Sequence, residues 1–414
     1  MQITLFGAIW LVMLFFCFFS NDHRKILFLT LFAMVFQCDN VVVLGGTGIG
    51  VQIFTVGIAW VRLWIVKRAA DNGKKAAWLA WLCFALFFAV VISLLFNRSM
   101  DTQRQIGMAM IFVYAVFLLT LSRKAIQVDD EWLERTENVI LTFVLIVGFL
   151  QVLCKSGVSI LTAPLRLFIY NDINNSDVIF NYKSLNRFYS TFMEPSYCGA
   201  YLVGMFGLIM VRRKVNLCNI LLGTLVALAI ILTRSSTAYG GMAIIGCILL
   251  MTRAKKKVFK LLIPVFFLGM VYIAAYNMDL LNEVIFDKAL TGSFRTRITL
   301  DRWAILTFRN SPLFGVGYRN FRASSLVFSL LAEVGILGFG LYLLLVAMVL
   351  KWAMMDKKNL IAKSRSFFVL GIIVCQFIGC PDLNFSPFWM AMYFLVLSLR
   401  LDNIHSIEEG AESP

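Results

Sequence analysis

Two groups of residues in this chain have the types and spacing that chemistry needs. The first is the stretch RFYSTFMEPSYCGAY at 187–201, where Glu194 stands at the mouth of an apolar run with Arg187 two turns before it. A partly buried carboxylate there has a raised proton affinity and can take a proton from a sugar hydroxyl, with Arg187 across the cavity as a phosphate or sugar contact. The plain structural alternative is that Pro195 opens a helix and Glu194 caps it, its charge favoured by the helix dipole. The two readings are compatible.

The second group lies in residues 277–325, which hold Arg295, Arg297, Arg302, Arg309, Arg319 and Arg322 but only one lysine, Lys288. Guanidinium groups stay charged and grip phosphate oxygens through a planar fork, so the cluster suits a lipid diphosphate. The competing reading is an interfacial helix anchored to ordinary anionic lipids. Leu300, Trp303, Ala304, Leu306 and Thr307 fall at helical spacing and predict a surface-lying helix over 299–308. Pro312 should stop it, and Gly315 and Gly317 allow a bend close to whatever is bound. Arg295 and Arg297 are expected just before the N-terminus of that helix, where its dipole adds positive potential. The only histidines, His23 and His405, fall on stretches expected to be cytoplasmic. Any base on the outer side must therefore be a carboxylate: Glu194, Glu333, Asp172, Asp177, Glu283 or Asp301.

The elements that must position these groups are membrane helices. The chain has 414 residues, 60% of them hydrophobic and 15% charged, with a mean hydropathy of +0.82. Apolar runs long enough to span a bilayer recur throughout, so the expected fold class is an all-α polytopic membrane protein. About 13 spans are expected, with 12 to 14 admissible: 3–20, 26–44, 50–66, 77–96, 105–121, 138–154, 196–211, 216–233, 237–252, 258–276, 326–350, 366–380 and 385–400. No cleavable leader is apparent, so the first span is expected to stay. The net charge of +15 follows from basic loops at 23–25, 67–75, 212–214, 253–260 and 351–365, which share one side if the spans alternate. That explanation leaves no call for nucleic acid as a partner. Residues 155–195 and 277–325 then become two large loops on the opposite, outer face, and 401–414 a cytoplasmic tail. GGTGIG lacks a strand-to-helix context and reads as a turn between helices, not a phosphate loop. Most of the nine cysteines lie in apolar runs and behave as small hydrophobes, with no metal-ligand spacing.

Three stretches together resemble the bacterial O-antigen polymerase (Wzy) and O-antigen ligase superfamily. They are RFYSTFMEPSYCGAYL, ILTRSSTAYGGMAI, and RITLDRWAILTFRNSPLFGVGYRNF followed by SSLVFSLLAEVGILGFGLYLLL. The resemblance spans roughly residues 185–350 and is most specific at PLFGVG and AEVGILG. Ser190 stands where a glycine is common, and Arg234 precedes the serines of its motif instead of following them.

The resemblance implies a GT-C-type architecture and a glycosyltransferase acting on undecaprenyl-diphosphate-linked oligosaccharide at the periplasmic face of the bacterial inner membrane, with no metal or other cofactor. It carries over Glu194 and Arg297 as catalytic groups. Arg187, Arg234, Arg295, Arg302, Tyr318, Arg319 and Glu333 become expected substrate contacts. A chain-length regulator protein becomes a candidate partner. Ligases of the superfamily resemble each other in having a histidine shortly before the LL-x-E-x-G stretch. Here that region reads RASSLVFSLLAEVG, which favours polymerase over ligase. A transporter remains a third alternative, but no internal repeat is evident and charges in mid-span are few.

Overall fold

The computed structural model describes residues 2–37, 39–44, 47–65, 74–97, 102–124, 126, 128–156, 165, 187–212, 217–253, 292–354 and 360–411. Thirteen helices occur among them. The first six are α1 (Leu5–Phe19), α2 (His23–Ala33), α3 (Val51–Ile65), α4 (Lys74–Phe96), α5 (Thr102–Arg123) and α6 (Asp130–Lys155). The remainder are α7 (Pro195–Val211), α8 (Leu217–Leu232), α9 (Ser236–Arg253), α10 (Gly292–Asn310), α11 (Leu326–Met354), α12 (Leu360–Gly379) and α13 (Ser386–Ala411). Five of them, α4, α5, α6, α11 and α12, are long and apolar enough to cross a membrane, and six more are shorter apolar helices.

Two expectations are corrected. The apolar run 26–44 is not one span: α2 ends at Ala33, and Asn40–Leu44 forms strand β2, paired antiparallel to β1 (Gln2–Ile3) and β3 (Thr47–Gly50). The β-branched run Val41-Val42-Val43 favours extended backbone, and α2, with 11 residues, is only about 16 Å long. The second half of GGTGIG is accordingly a strand of a hairpin, with Leu44 opposite Thr47, where an interhelical turn was expected. The expected span 258–276, together with most of 155–186 and with 277–291, lies outside the described residues. Helix α13 continues to Ala411, through most of the stretch expected as a tail.

Helix α7 is the centre of the bundle. Almost every residue from Pro195 to Val211 is buried, as expected for a helix that is apolar all round. Helix α12 packs along it, flanked by α9, α11 and α13. The approach is close because Gly204 and Gly371 face each other: a methyl group on Gly371 would lie 2.7 Å from Gly204 Cα.

The described loops separate to two ends, as alternation of the helices requires. At one end, Arg212 pairs with Glu137 at 3.0 Å and with Glu134 at 3.6 Å. Arg365 bridges Glu137 at 2.7 Å and Asp130 at 2.8 Å, and Arg24 lies 3.8 Å from Asp129. The start of α7, the turns 233–235 and 380–385 and the loop 311–325 meet at the other end. They are joined by bonds such as Phe188 N–H to Leu232 O at 2.9 Å and Ser386 Oγ to Met34 O at 2.7 Å.

Candidate functional site

Glu194 is the N-cap residue of α7 with Pro195 at its first position, as the sequence predicts, but its carboxylate makes no bond to the helix backbone. It accepts instead from Ser196 Oγ at 3.1 Å and acts electrostatically on Cys380 and Asp382, in the turn between α12 and α13. Asp382 is in turn held by Arg322 Nη2 at 3.1 Å and by the Tyr197 hydroxyl, to which Arg322 also donates at 2.8 Å.

Arg297 reaches the same place from α10. A methyl group on Gly379 would come within 3.1 Å of Arg297 Nη1 and 2.6 Å of Thr237 Oγ1. Cys380 thus lies among Glu194, Arg297 and Arg322, and its thiol is pushed up to about 12, mainly by burial. Thr237 belongs to the first turn of α9, and its buried hydroxyl has no hydrogen-bond partner among the described residues. Arg187 Nε donates to Thr233 O at 2.9 Å and Nη2 to Arg234 O at 3.1 Å, which ties it to the turn that opens α9. Arg234 has a positive φ of 47° in that turn and an exposed side chain. Guanidinium groups and a helix N-terminus so converge on Gly379 and Thr237, an arrangement suited to an anion.

The third contribution comes from PLFGVG and AEVG, which interlock. Helix α11 is broken at Gly335, whose φ is 69°, and the freed carbonyls of Ala332 and Glu333 accept the Val316 and Gly317 N–H groups at 2.8 and 3.0 Å. Pro312 O accepts from Ile336 N–H at 2.8 Å on the other side of the break. Phe314 stacks on Phe96 at 4.3 Å, and Asn97 Nδ2 donates to Gly315 O at 3.0 Å, which fixes the loop on the end of α4. The interlock buries Glu333 and places the Arg319 backbone N–H on its carboxylate, with Arg322 in electrostatic reach. Tyr318 is buried beside Glu333 and accepts the Asn384 backbone N–H; its phenol is pushed well up, chiefly by burial. The Arg319 side chain, by contrast, is exposed and lies against Gly107 of α5.

Helix α10 does not treat its arginines alike. It begins at Gly292, so Arg295 and Arg297 lie within it instead of ahead of it, a correction to the expected boundary. Once 292–294 are helical, a single straight helix presents opposite faces to different neighbours. Arg297 faces inward with Ala304, which packs against Ala323 and Ala332. Arg295, Arg302 and Arg309, spaced seven residues apart, share the opposite, exposed face with Trp303 and Leu306. The structure therefore brings Arg297 to the cluster and leaves Arg295 and Arg302 off it. Asp301 is occupied structurally, accepting Ser324 N–H at 3.0 Å and Ser324 Oγ at 2.7 Å. Asp172, Asp177 and Glu283 lie outside the described residues.

Two members of the cluster, Tyr197 and Asp382, were not among the expected site residues, and Arg322 was named only as one of the arginines of residues 277–325. Asp382 stands in the short break between the expected spans 366–380 and 385–400 and carries no motif of its own. Its signal was topological: helix alternation puts that turn on the same side as Glu194.

Residues 221–343 match the O-antigen ligase family (Wzy_C). The match is consistent with a member of the O-antigen polymerase/ligase superfamily, the group that the sequence motifs resemble. It covers most of α8, all of α9 and α10 and much of α11, and so includes Arg234, Arg297, Tyr318, Arg319 and Glu333 but neither Glu194 nor Asp382. No curated protein matches the chain. Together with the apolar helices, the O-antigen ligase match supports a multi-pass membrane protein with a ligase or polymerase role in surface polysaccharide synthesis.

Proposed function

We propose that the protein is a Wzy-type polymerase of the bacterial inner membrane. It transfers a growing glycan from undecaprenyl diphosphate onto a new undecaprenyl-diphosphate-linked repeat unit at the periplasmic face. The observation that carries this reading is the meeting of Arg297, from α10, with the Glu194 and Asp382 carboxylates at the ends of α7 and α12. Glycosyl transfer from a lipid diphosphate needs both halves of that arrangement. The departing diphosphate gathers negative charge, which fixed guanidinium groups and the α9 N-terminus offset. The incoming sugar hydroxyl must lose a proton, which a carboxylate accepts. Arg297 sits on the first side, with Arg187 and Arg234 at the turn opening α9, and the pair Glu194 and Asp382 on the second.

The match to the O-antigen ligase family supports a second reading, transfer of finished glycan to a lipid A core. The absence of a histidine from RASSLVFSLLAEVG favours the polymerase. Deletion distinguishes the two on a gel of envelope lipopolysaccharide: loss of a polymerase leaves cores bearing at most one repeat, whereas loss of a ligase leaves bare core and long lipid-linked chains. Arg297→Ala, produced at normal levels, is expected to shorten the glycan as deletion does, and Glu194→Gln to shorten it in part. Glycan of normal length from either variant would count against the assigned role of that residue, and from both against the enzyme reading.

A further inference from the structure

We propose that Asp382, in the turn between α12 and α13, is the general base that takes the proton from the attacking sugar hydroxyl, and that Glu194 acts on it through space. The inference rests on the glycosyl-transfer reading above and narrows its chemistry to one carboxylate.

The geometry separates the two oxygens of Asp382. Oδ2 holds Arg322 Nη2 and the Tyr197 hydroxyl, while Oδ1 accepts no hydrogen bond from the described residues. Its backbone is fixed as well: Gln376 Nε2 donates to Asp382 O at 3.1 Å, and Gln376 Oε1 accepts the Tyr342 hydroxyl at 3.0 Å. One oxygen is therefore oriented by the protein and the other is left for an acceptor. Glu194 Oε2 takes only the hydroxyl of its own neighbour Ser196, and among the described residues no arginine pairs with that carboxylate, so it is less firmly oriented than Asp382 and is placed to supply charge.

The charged and titratable groups around Asp382 come from every neighbouring element. Glu194 and Tyr197 face it from α7, Arg322 from the loop before α11, and Arg297 from α10 by way of Cys380. Glu333 of α11 is in electrostatic reach of Arg322. Burial first, and the like charge of Glu194 second, push the Asp382 carboxyl up to about 6. Arg322 pulls the other way, but its side chain is 61% exposed and water screens it. The result is a carboxylate that is ionised at neutral pH and still basic enough to accept a proton, which is where a general base works best.

In the reaction the acceptor hydroxyl oxygen forms a bond to the anomeric carbon of the lipid-linked glycan. The bond from that carbon to the diphosphate oxygen breaks, its electron pair leaving on the diphosphate beside Arg297. The hydroxyl proton passes to Asp382 Oδ1 and is lost to water after the product departs.

The test uses the full chain in membranes of its native cells, which supply their own lipid-linked repeat units. Chain elongation is followed from about pH 5 to about pH 9 for the wild type, Asp382→Asn, Asp382→Glu and Glu194→Gln, each confirmed to be folded and present in normal amount. The wild-type rate should rise through a single ionisation near 6. Asp382→Asn should lose about 10²–10⁴-fold and show no such rise, and Asp382→Glu should recover part of both. Glu194→Gln should move the rise toward the ordinary aspartate value of about 4. Asp382→Asn keeping more than about a tenth of the wild-type rate would overturn the assignment, as would a rise that Glu194→Gln leaves in place. Arg297→Ala assayed in parallel keeps the two readings apart. An inactive Arg297→Ala beside an active Asp382→Asn removes only the base, whereas elongation at the wild-type rate in membranes lacking the protein removes glycosyl transfer itself.

Discussion

Replacing Gly315 by alanine perturbs the interlock between PLFGVG and the broken helix α11 at its tightest point. Gly315 has a φ of 67°, and a Cβ there would lie 2.3 Å from the Glu333 carbonyl carbon and 2.4 Å from its oxygen. The left-handed backbone alone costs an alanine about 1–2 kcal/mol. The overlap is with backbone, so it is relieved only by moving the loop away from α11, which weakens the Val316-to-Ala332 and Gly317-to-Glu333 hydrogen bonds, each worth about 1 kcal/mol. The sum, about 3–4 kcal/mol, is a large share of a typical folding free energy. Gly340, on the same helix, provides the control because nothing lies within 4 Å of its added Cβ. Thermal unfolding of the full chain in detergent should show Gly315→Ala melting well below the wild type and Gly340→Ala at or slightly above it. Glycan elongation should fall with the first and not with the second, since the interlock carries Glu333, Tyr318 and Arg322. Equal melting of the two variants would refute the claim that this contact holds the site together.

Other perturbations separate chemistry from architecture. Arg297→Ala should abolish long-chain glycan, whereas Arg302→Ala, on the opposite face of α10, should leave chain length near normal; a gel of envelope glycan compares them directly. Glu137→Ala strands Arg212 and Arg365 without their shared partner, which at a buried site costs about 3–5 kcal/mol, so the melting temperature should drop sharply. A cysteine placed at Arg302 should react with an impermeant thiol reagent added outside intact spheroplasts and one placed at Arg24 should not. Reaction at Arg24 alone would invert the proposed orientation.

The all-helical character of the bundle was legible in the sequence because a chain without water around it must satisfy its backbone internally, and long apolar runs leave few ways to do so. The N-cap position of Glu194, Pro195 at the head of α7, a surface helix ending before Pro312, and bends at Gly315 and Gly317 were legible for a similar reason: each is set by a few neighbouring residues. The run 26–44 was misread because hydropathy is blind to the difference between a helix and a β-branched strand of equal apolarity. Which arginine of α10 points inward was not legible either. Arg295, Arg297 and Arg302 are chemically identical, and only the packing of Ala304 on Ala323 and Ala332 fixes the rotation of the helix.

Residue types and their order thus determined that cations and carboxylates would gather at one end of a helical bundle. Tertiary structure alone decided which of them touch. Asp382 follows Glu194 by nearly half the chain, and it reaches Tyr197 and Arg322 only because α12 packs along α7 through Gly204 and Gly371. Contacts between residues so far apart in sequence depend on helix rotation and register, which arise from the packing of many side chains at once and leave no local pattern to read.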